Sequence, residues 1–212
     1  MLSKKQHIVF DLDGTIMAST PFYLAILERI FAGQGLSLDD ATKREAMGLS
    51  ARAFLEPRMT SLELSRSLDL LRLQSEIDLE VIPLFDGMKN LLRGLFRRGV
   101  RMAVWTSRDA RSAKALLQKH GLDALFEVLV TADCVTRHKP DPEGLHYVSR
   151  QWACPIEELV MIGDHDVDMI AARSAGALPI RANWHGFSPG FQCDVGAMTI
   201  HRVDTLAEVF HA

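Results

Sequence analysis

Carboxylates recur in this chain where apolar runs end. Asp11 and Asp13, within Asp11-Leu12-Asp13-Gly14-Thr15, follow Ile8-Val9-Phe10 directly. Thr106-Ser107 follows Met102-Ala103-Val104-Trp105, and Gly163-Asp164 follows Leu159-Val160-Met161-Ile162, with Asp168 four residues further on. One more patch, Lys139-Pro140, lies between those two. Short continuous apolar runs read as strands of a parallel sheet buried on both faces. Open parallel sheets bind ligands just beyond the carboxyl ends of their strands. The patches would therefore deliver aspartates, hydroxyls and an ammonium to one rim. Carboxylates without histidine or cysteine partners suit a hard, oxygen-seeking cation such as Mg²⁺, which commonly accompanies phosphate.

Each patch permits a definite chemistry. Asp11 and Asp13 are two apart, so in an extended chain both side chains point the same way, and Gly14 then allows a sharp turn. One carboxylate can bind metal and act as a nucleophile, forming an aspartyl-phosphate. The other can protonate a leaving group and then deprotonate water. Thr106 and Ser107 offer hydroxyls to a phosphoryl group. Lys139 sits in a loop stiffened by Pro140 and Pro142 and can neutralise developing charge. Asp164 falls at a strand tip beside Gly163, which permits close approach. Asp168 lies on the same side of the following turn, and Asp166 between them reads as a helix cap. Taken singly, each patch also matches ordinary turn, cap or loop chemistry. Their joint placement at one rim favours function.

The elements that must hold these groups alternate from residue 84 onward. Met88, Leu91, Leu92, Leu95 and Phe96 have helical spacing and Gly99 closes that helix. Further helices are expected from about Asp109 to His120, after Asp141-Pro142 with Leu145, Val148 and Trp152 inward, from about Asp166 to Ala175, and over Thr205–Phe210. Between them lie strands near Val128–Thr131, Leu159–Ile162, Pro179–Arg181 and Met198–Ile200. Such alternation predicts an α/β fold, a Rossmann-like parallel sheet with helices on both faces. Residues 17–82 break the rhythm and read as helices. Tyr23, Ile26, Leu27 and Ile30 form one apolar stripe; Leu64, Leu68 and Leu71, continued by Leu70, Leu73 and Ile77, form another. This inserted block is expected to be a helical cap over the rim, with residues 1–16 and 83–212 as the core. No internal repeat appears.

Composition narrows the class. A chain of 212 residues accommodates one full core and a smaller module. The formal net charge of −3 leaves no basic footprint for nucleic acid. No apolar run is long enough to span a bilayer, and the apolar run after the first residues is too short for a secretory signal. Cys134, Cys154 and Cys193 are odd in number and widely spaced, as expected of reduced, mostly buried thiols in a cytoplasmic protein.

Together the four patches resemble the motifs of the haloacid dehalogenase superfamily, in its phosphatase branch with a small helical cap. Asp11-Leu12-Asp13-Gly14-Thr15 is similar to the first motif, Thr106 to the second, Lys139 in Lys139-Pro140-Asp141-Pro142 to the third. Gly163-Asp164-His165-Asp166-Val167-Asp168, followed by Ala171-Ala172 and Ala175-Gly176, is similar to the fourth. The resemblance covers nearly the whole chain. It implies Asp11 as nucleophile and Asp13 as acid/base. It also implies Mg²⁺ held by Asp11, the Asp13 backbone carbonyl and Asp164, with Asp168 in support. Gly14, Ser107 and Arg52 are expected to contact phosphate or substrate, a small phosphorylated metabolite of the kind phosphoglycolate phosphatase-like enzymes hydrolyse.

Within that superfamily, Asp13 argues against a dehalogenase, which lacks the second aspartate. It also argues against a phosphonatase, which carries alanine there. A sugar phosphomutase usually has a histidine early in the cap, and residues 17–82 contain none. Phosphotransfer between sugars and a non-catalytic phosphate-binding domain are the alternatives to a phosphatase. Ala18 stands where such proteins often carry an acidic residue, and Asn183-Trp184-His185-Gly186 has its own character. Arg44, Ser50, Arg52 and Arg58 are candidate substrate contacts in the cap, and Trp184 and His185 candidates at the entrance.

Overall fold

A computed structural model describes residues 7–47, 49, 51–184 and 197–210. Its strands are β1 (His7–Phe10), β2 (Met102–Trp105), β3 (Val128–Val130), β4 (Leu159–Gly163), β5 (Leu178–Ala182) and β6 (Met198–Ile200). They form one parallel sheet in the order β3-β2-β1-β4-β5-β6. The helices of the core are α5 (Met88–Arg97), α6 (Ala110–Lys119), α7 (Glu143–Trp152), α8 (Asp166–Ala175) and α9 (Val203–Val209). Four more, α1 (Thr20–Ala32), α2 (Asp40–Met47), α3 (Ala51–Leu55) and α4 (Ser61–Asp78), follow β1 without an intervening strand.

Strand periodicity divides the core. Ile8, Phe10, Val104 and Ile162 point to one face, where they pack with Leu92 of α5, Leu116 of α6 and Leu206 of α9. Val9, Ala103, Trp105 and Met161 point to the other and meet Leu145 and Val148 of α7 and Ala171 and Ala172 of α8. Because successive strand residues alternate, each central strand serves both layers and must be apolar throughout. A third apolar cluster joins Ile26, Leu27 and Ile30 of α1 to Phe54 and Leu55 of α3 and Leu64 and Leu71 of α4.

Several expectations need correction. Leu73 and Ile77 continue the helical spacing of α4 but are each 57% exposed, and Phe96 of α5 is 50% exposed. Spacing fixes a face of a helix but not how far a neighbour covers it. The last helix begins at Val203, before Thr205. Cys134 is exposed, because it ends a short turn after β3 at the surface; Cys154 is half-buried. Cys193, Ser50 and His185 lie outside the described residues. Among the described residues, no helix is long and apolar enough to cross a membrane.

Candidate active site

The central strand and its two neighbours end level with one another. Phe10 pairs in register with Val104 of β2 and Ile162 of β4. The chain thus leaves the sheet at Asp11, Thr106 and Asp164 on adjacent tips. The Asp11 amide still donates to the Ile162 carbonyl at 2.8 Å, and the Thr106 amide to the Val130 carbonyl at 2.9 Å. β1 lies between strands that the chain visits in opposite directions across the sheet, the kind of switch point where open sheets form a crevice.

Asp11, Asp164 and Asp168 converge there. All three are buried, and each offers a carboxylate oxygen within 4.8 Å of the others'. Lys139 Nζ enters the same cluster, 2.6 Å from Asp11 Oδ1 and 2.7 Å from Asp168 Oδ1, and donates to the Trp105 carbonyl at 2.8 Å. Those three acceptors match the three N–H bonds of an ammonium. The Trp105 ring centroid is 4.8 Å from the same nitrogen.

Close packing around these carboxylates depends on two glycines. Gly14 has φ +75°, and a Cβ there would collide with the Asp164 carboxylate. A Cβ on Gly163 would collide with Asp168. Asp168 is tied locally as well, its Oδ2 accepting the His165 amide at 3.2 Å as part of the cap of α8. The cap of that helix is His165, whose Nδ1 accepts the Val167 amide, and not Asp166 as expected. Asp166 turns instead to Arg181, a buried cation that also donates to the Asp164 carbonyl at 3.4 Å.

Electrostatics give the cluster its purpose. Three buried carboxylates, Asp11, Asp164 and Asp168, share the cluster with the Lys139 ammonium. Burial pushes the Asp11 carboxyl up to about 7, with Lys139 opposing and Asp168 reinforcing the rise. Burial, then Asp11 and Asp168, hold Asp164 well above the usual carboxylate range. Lys139 titrates above its usual range: burial opposes this, but Asp11 and Asp168 outweigh it. A buried, all-oxygen set of three converging carboxylates, whose crowding disfavours their ionisation in the absence of a cation, fits a divalent hard cation.

Asp13 stands apart from the three. The sheet ends at Phe10, so the two-residue alternation expected to align Asp11 with Asp13 no longer governs the side chains. The Asp13 carboxylate is held by Arg108, whose Nε donates to Oδ2 at 2.6 Å and whose Nη2 donates to Oδ1 at 2.8 Å. Burial would raise the Asp13 pKa, but Arg108 and a hydrogen bond from Ser19 hold it below the ordinary value. Thr106 is buried, and its Oγ1 accepts the Arg108 amide at 3.1 Å, while Ser107 beside it is exposed.

Among the cap candidates, Arg58 is engaged within its own layer. It donates to the Phe54 carbonyl at 2.7 Å, pairs with Glu45 and covers the Phe54 ring. Arg44 and Arg52 are exposed, and no hydrogen bond or ion pair joins Arg52 to the acidic cluster among the described residues. The Trp184 indole N–H donates to the Thr15 carbonyl at 3.1 Å, fastening the end of β5's loop to the first motif. Two groups escaped the sequence reading. Arg108 is two residues beyond Thr106, and Arg181 interrupts the apolar run of β5, where a buried charge demands a partner.

A doubly wound sheet with aspartates and a lysine gathered on its central tips places the chain among α/β proteins that work at the carboxyl rim. More narrowly, the family model described as haloacid dehalogenase-like hydrolase matches residues 8–181, and the chain belongs to that family. It is 30% identical over 187 residues to a phosphoglycolate phosphatase of Colwellia psychrerythraea, covering 82% of each chain. It is 31% identical over 176 residues to an N-acetylmuramic acid 6-phosphate phosphatase of Pseudomonas aeruginosa, covering 80% of this chain and 77% of that one. Its fold matches the crystal structure of a predicted phosphoglycolate phosphatase from Haemophilus somnus, with a TM-score of 0.81 at 19% identity, over 99% of this chain and 100% of that one. The resemblance carried by the four motifs is thus borne out.

Proposed function

We propose that this protein hydrolyses a small phosphomonoester through an aspartyl-phosphate on Asp11, with Mg²⁺ as its ion. The observation that carries this reading is the buried meeting of Asp11, Asp164 and Asp168 around Lys139 at adjacent strand tips, in a chain whose relatives are phosphatases.

The Asp11 carboxylate attacks phosphorus in line with the ester oxygen, and the bond from phosphorus to that oxygen breaks. Asp13, an ionised carboxylate beside Arg108 before substrate binds, takes up a proton from solvent in the substrate complex and gives it to the departing alcohol. The Thr106 hydroxyl, Ser107 and the Gly14 turn hold the phosphoryl oxygens, and Lys139 offsets the charge that gathers on them. Asp13 then takes a proton from water, which cleaves the acyl phosphate and restores Asp11. Mg²⁺, held by Asp11, Asp164 and the Asp13 backbone carbonyl with Asp168 in support, would supply a Lewis-acid seat for the phosphoryl oxygens.

Residues 17–82 act as a cap that excludes bulk water during transfer, over a core of residues 1–16 and 83–212. The separate apolar cluster of α1, α3 and α4 supports this division. Arg52, exposed on α3, is a substrate contact from that cap. The partner is a small phosphorylated metabolite in the cytoplasm.

Asp11→Asn tests the reading. With Mg²⁺ and p-nitrophenyl phosphate, the wild type should release phosphate and the variant should not, while its thermal midpoint does not fall. Turnover retained by the variant removes Asp11 from the nucleophile's role.

A further inference from the structure

A hollow lies between α5 and α9, and among the described residues none of Asp11, Asp164, Asp168 or Lys139 lines it. Its volume is about 960 Å³, the size of a small-molecule site. Phe85, Leu91, Trp184 and Val203 give it apolar walls. Those walls are fixed from behind. Leu91 and Val203 are buried in the core cluster that also holds Leu206. The Trp184 N–H donates to the Thr15 carbonyl at 3.1 Å, and its ring meets Phe85 edge to face at 6.2 Å. Walls set before anything binds lower the entropic cost of taking a ligand.

Gly94 keeps the space open. It stands inside α5, where glycine is the least favourable residue after proline. Crowding does not account for it: a Cβ on Gly163 would strike Asp168, but a Cβ on Gly94 would meet nothing within 4 Å. The missing side chain leaves room in the hollow that Gly94 borders.

The mouth is basic. Arg97 borders both this hollow and a smaller one beside it, which Arg93 and the half-exposed Phe96 also line. Arg93 and Arg97 are one helical turn apart, a spacing at which like charges repel. Neither guanidinium has a hydrogen bond or ion pair among the described residues. The bordering acids do not answer them: Arg202 holds both oxygens of Asp204, and Asp86 precedes the first turn of α5. We propose that this hollow is a second binding site, for a small molecule with a flat apolar body and an oxyanion. The body lies against Trp184 and Phe85, and the phosphate- or sulfonate-type oxygens meet Arg97 and Arg93. The site does not depend on the phosphatase reading.

Fluorescence titration with anilinonaphthalene sulfonate and with phenylnaphthylamine, the same rings without the sulfonate, tests this. Wild type should bind one equivalent of the sulfonate, about tenfold more tightly than the neutral amine, the scale of a hydrogen bond to a charged group. Gly94→Leu puts a side chain into the hollow and a good helix former into α5, so its thermal midpoint should not fall. Its affinity for both probes should drop by about tenfold or more, as a filled cavity requires. Changing Arg93 and Arg97 together to Gln alters only exposed side chains, so this variant serves whether or not Gly94→Leu folds. It should bind the amine as wild type does and lose the preference for the sulfonate. A folded Gly94→Leu that binds both probes like wild type overturns the proposal. So does a sulfonate preference that survives loss of both arginines, or a wild type that binds neither probe.

Discussion

Gly14 approaches Asp164 so closely that the carboxylate occupies the place where a β-carbon on residue 14 would stand. Residue 14 also has φ +75°, a left-handed conformation costing an L side chain about 1–2 kcal/mol. Gly14→Ala should therefore do two things together. The thermal midpoint should fall, and Mg²⁺ should no longer raise it, because Asp164 is displaced. Thermal scans with and without Mg²⁺ measure both, and a variant stabilised by Mg²⁺ like wild type contradicts the close packing.

Lys139 should matter to stability as well as to turnover. It is the partner of two buried carboxylates, and removing one member of a buried ion pair typically costs about 3–5 kcal/mol. Lys139→Met should lose stability on that scale in denaturant titration at pH 8. The loss should shrink at pH 5, where protonation relieves Asp11. An equal loss at both values would argue that the ammonium acts through packing alone.

Arg181 offers a graded comparison. Its partner Asp166 keeps 21% of its side chain in contact with solvent, so water can take over part of the lost interaction. Arg181→Met is expected to destabilise less than Lys139→Met, yet to weaken Mg²⁺ binding because the Asp164 carbonyl loses its donor. Calorimetric titration with Mg²⁺ alone reads the second effect. Unchanged affinity would limit Arg181 to a structural part.

The pH dependence of the metal-free protein has a definite sign. Asp11 titrates near 3.8 when unfolded and at about 7 in the fold. A raised carboxyl pKa favours the folded state fully below the lower value, and that contribution is lost as pH rises through the higher one. In chelator, stability should fall from about pH 4 to about pH 7, and Asp11→Asn should flatten that fall. Mg²⁺ should stabilise wild type more at pH 8 than at pH 5, where protons compete for the same oxygens. Thermal midpoints across this range, with and without chelator, check each part.

Much of this arrangement was legible in the sequence because it follows from periodicity. Ile8-Val9-Phe10 and Leu159-Val160-Met161-Ile162 had to be strands buried on both faces, and Asp11 and Asp164 had to be at their tips. Lys139 was found by its prolines, although nothing in the sequence gave its contact with Asp168. The partnership of Asp13 with Arg108 was hidden, since it joins loops 95 residues apart in sequence after both strands have ended. Leu73 and Ile77 misled for a related reason: helical spacing says which residues share a face, and only tertiary packing says whether that face is covered.

The most direct measurement is on the covalent step itself. Asp13→Asn retains the attacking carboxylate but weakens both proton transfers, so phosphoenzyme should accumulate when Mg²⁺ and 2-phosphoglycolate are added. Rapid acid quench followed by peptide mass spectrometry should find phosphate on Asp11, and none when Asp11 is also changed to Asn. Substrate turnover by wild type with phosphate on another residue, or with no phosphoenzyme in any variant, would contradict the account.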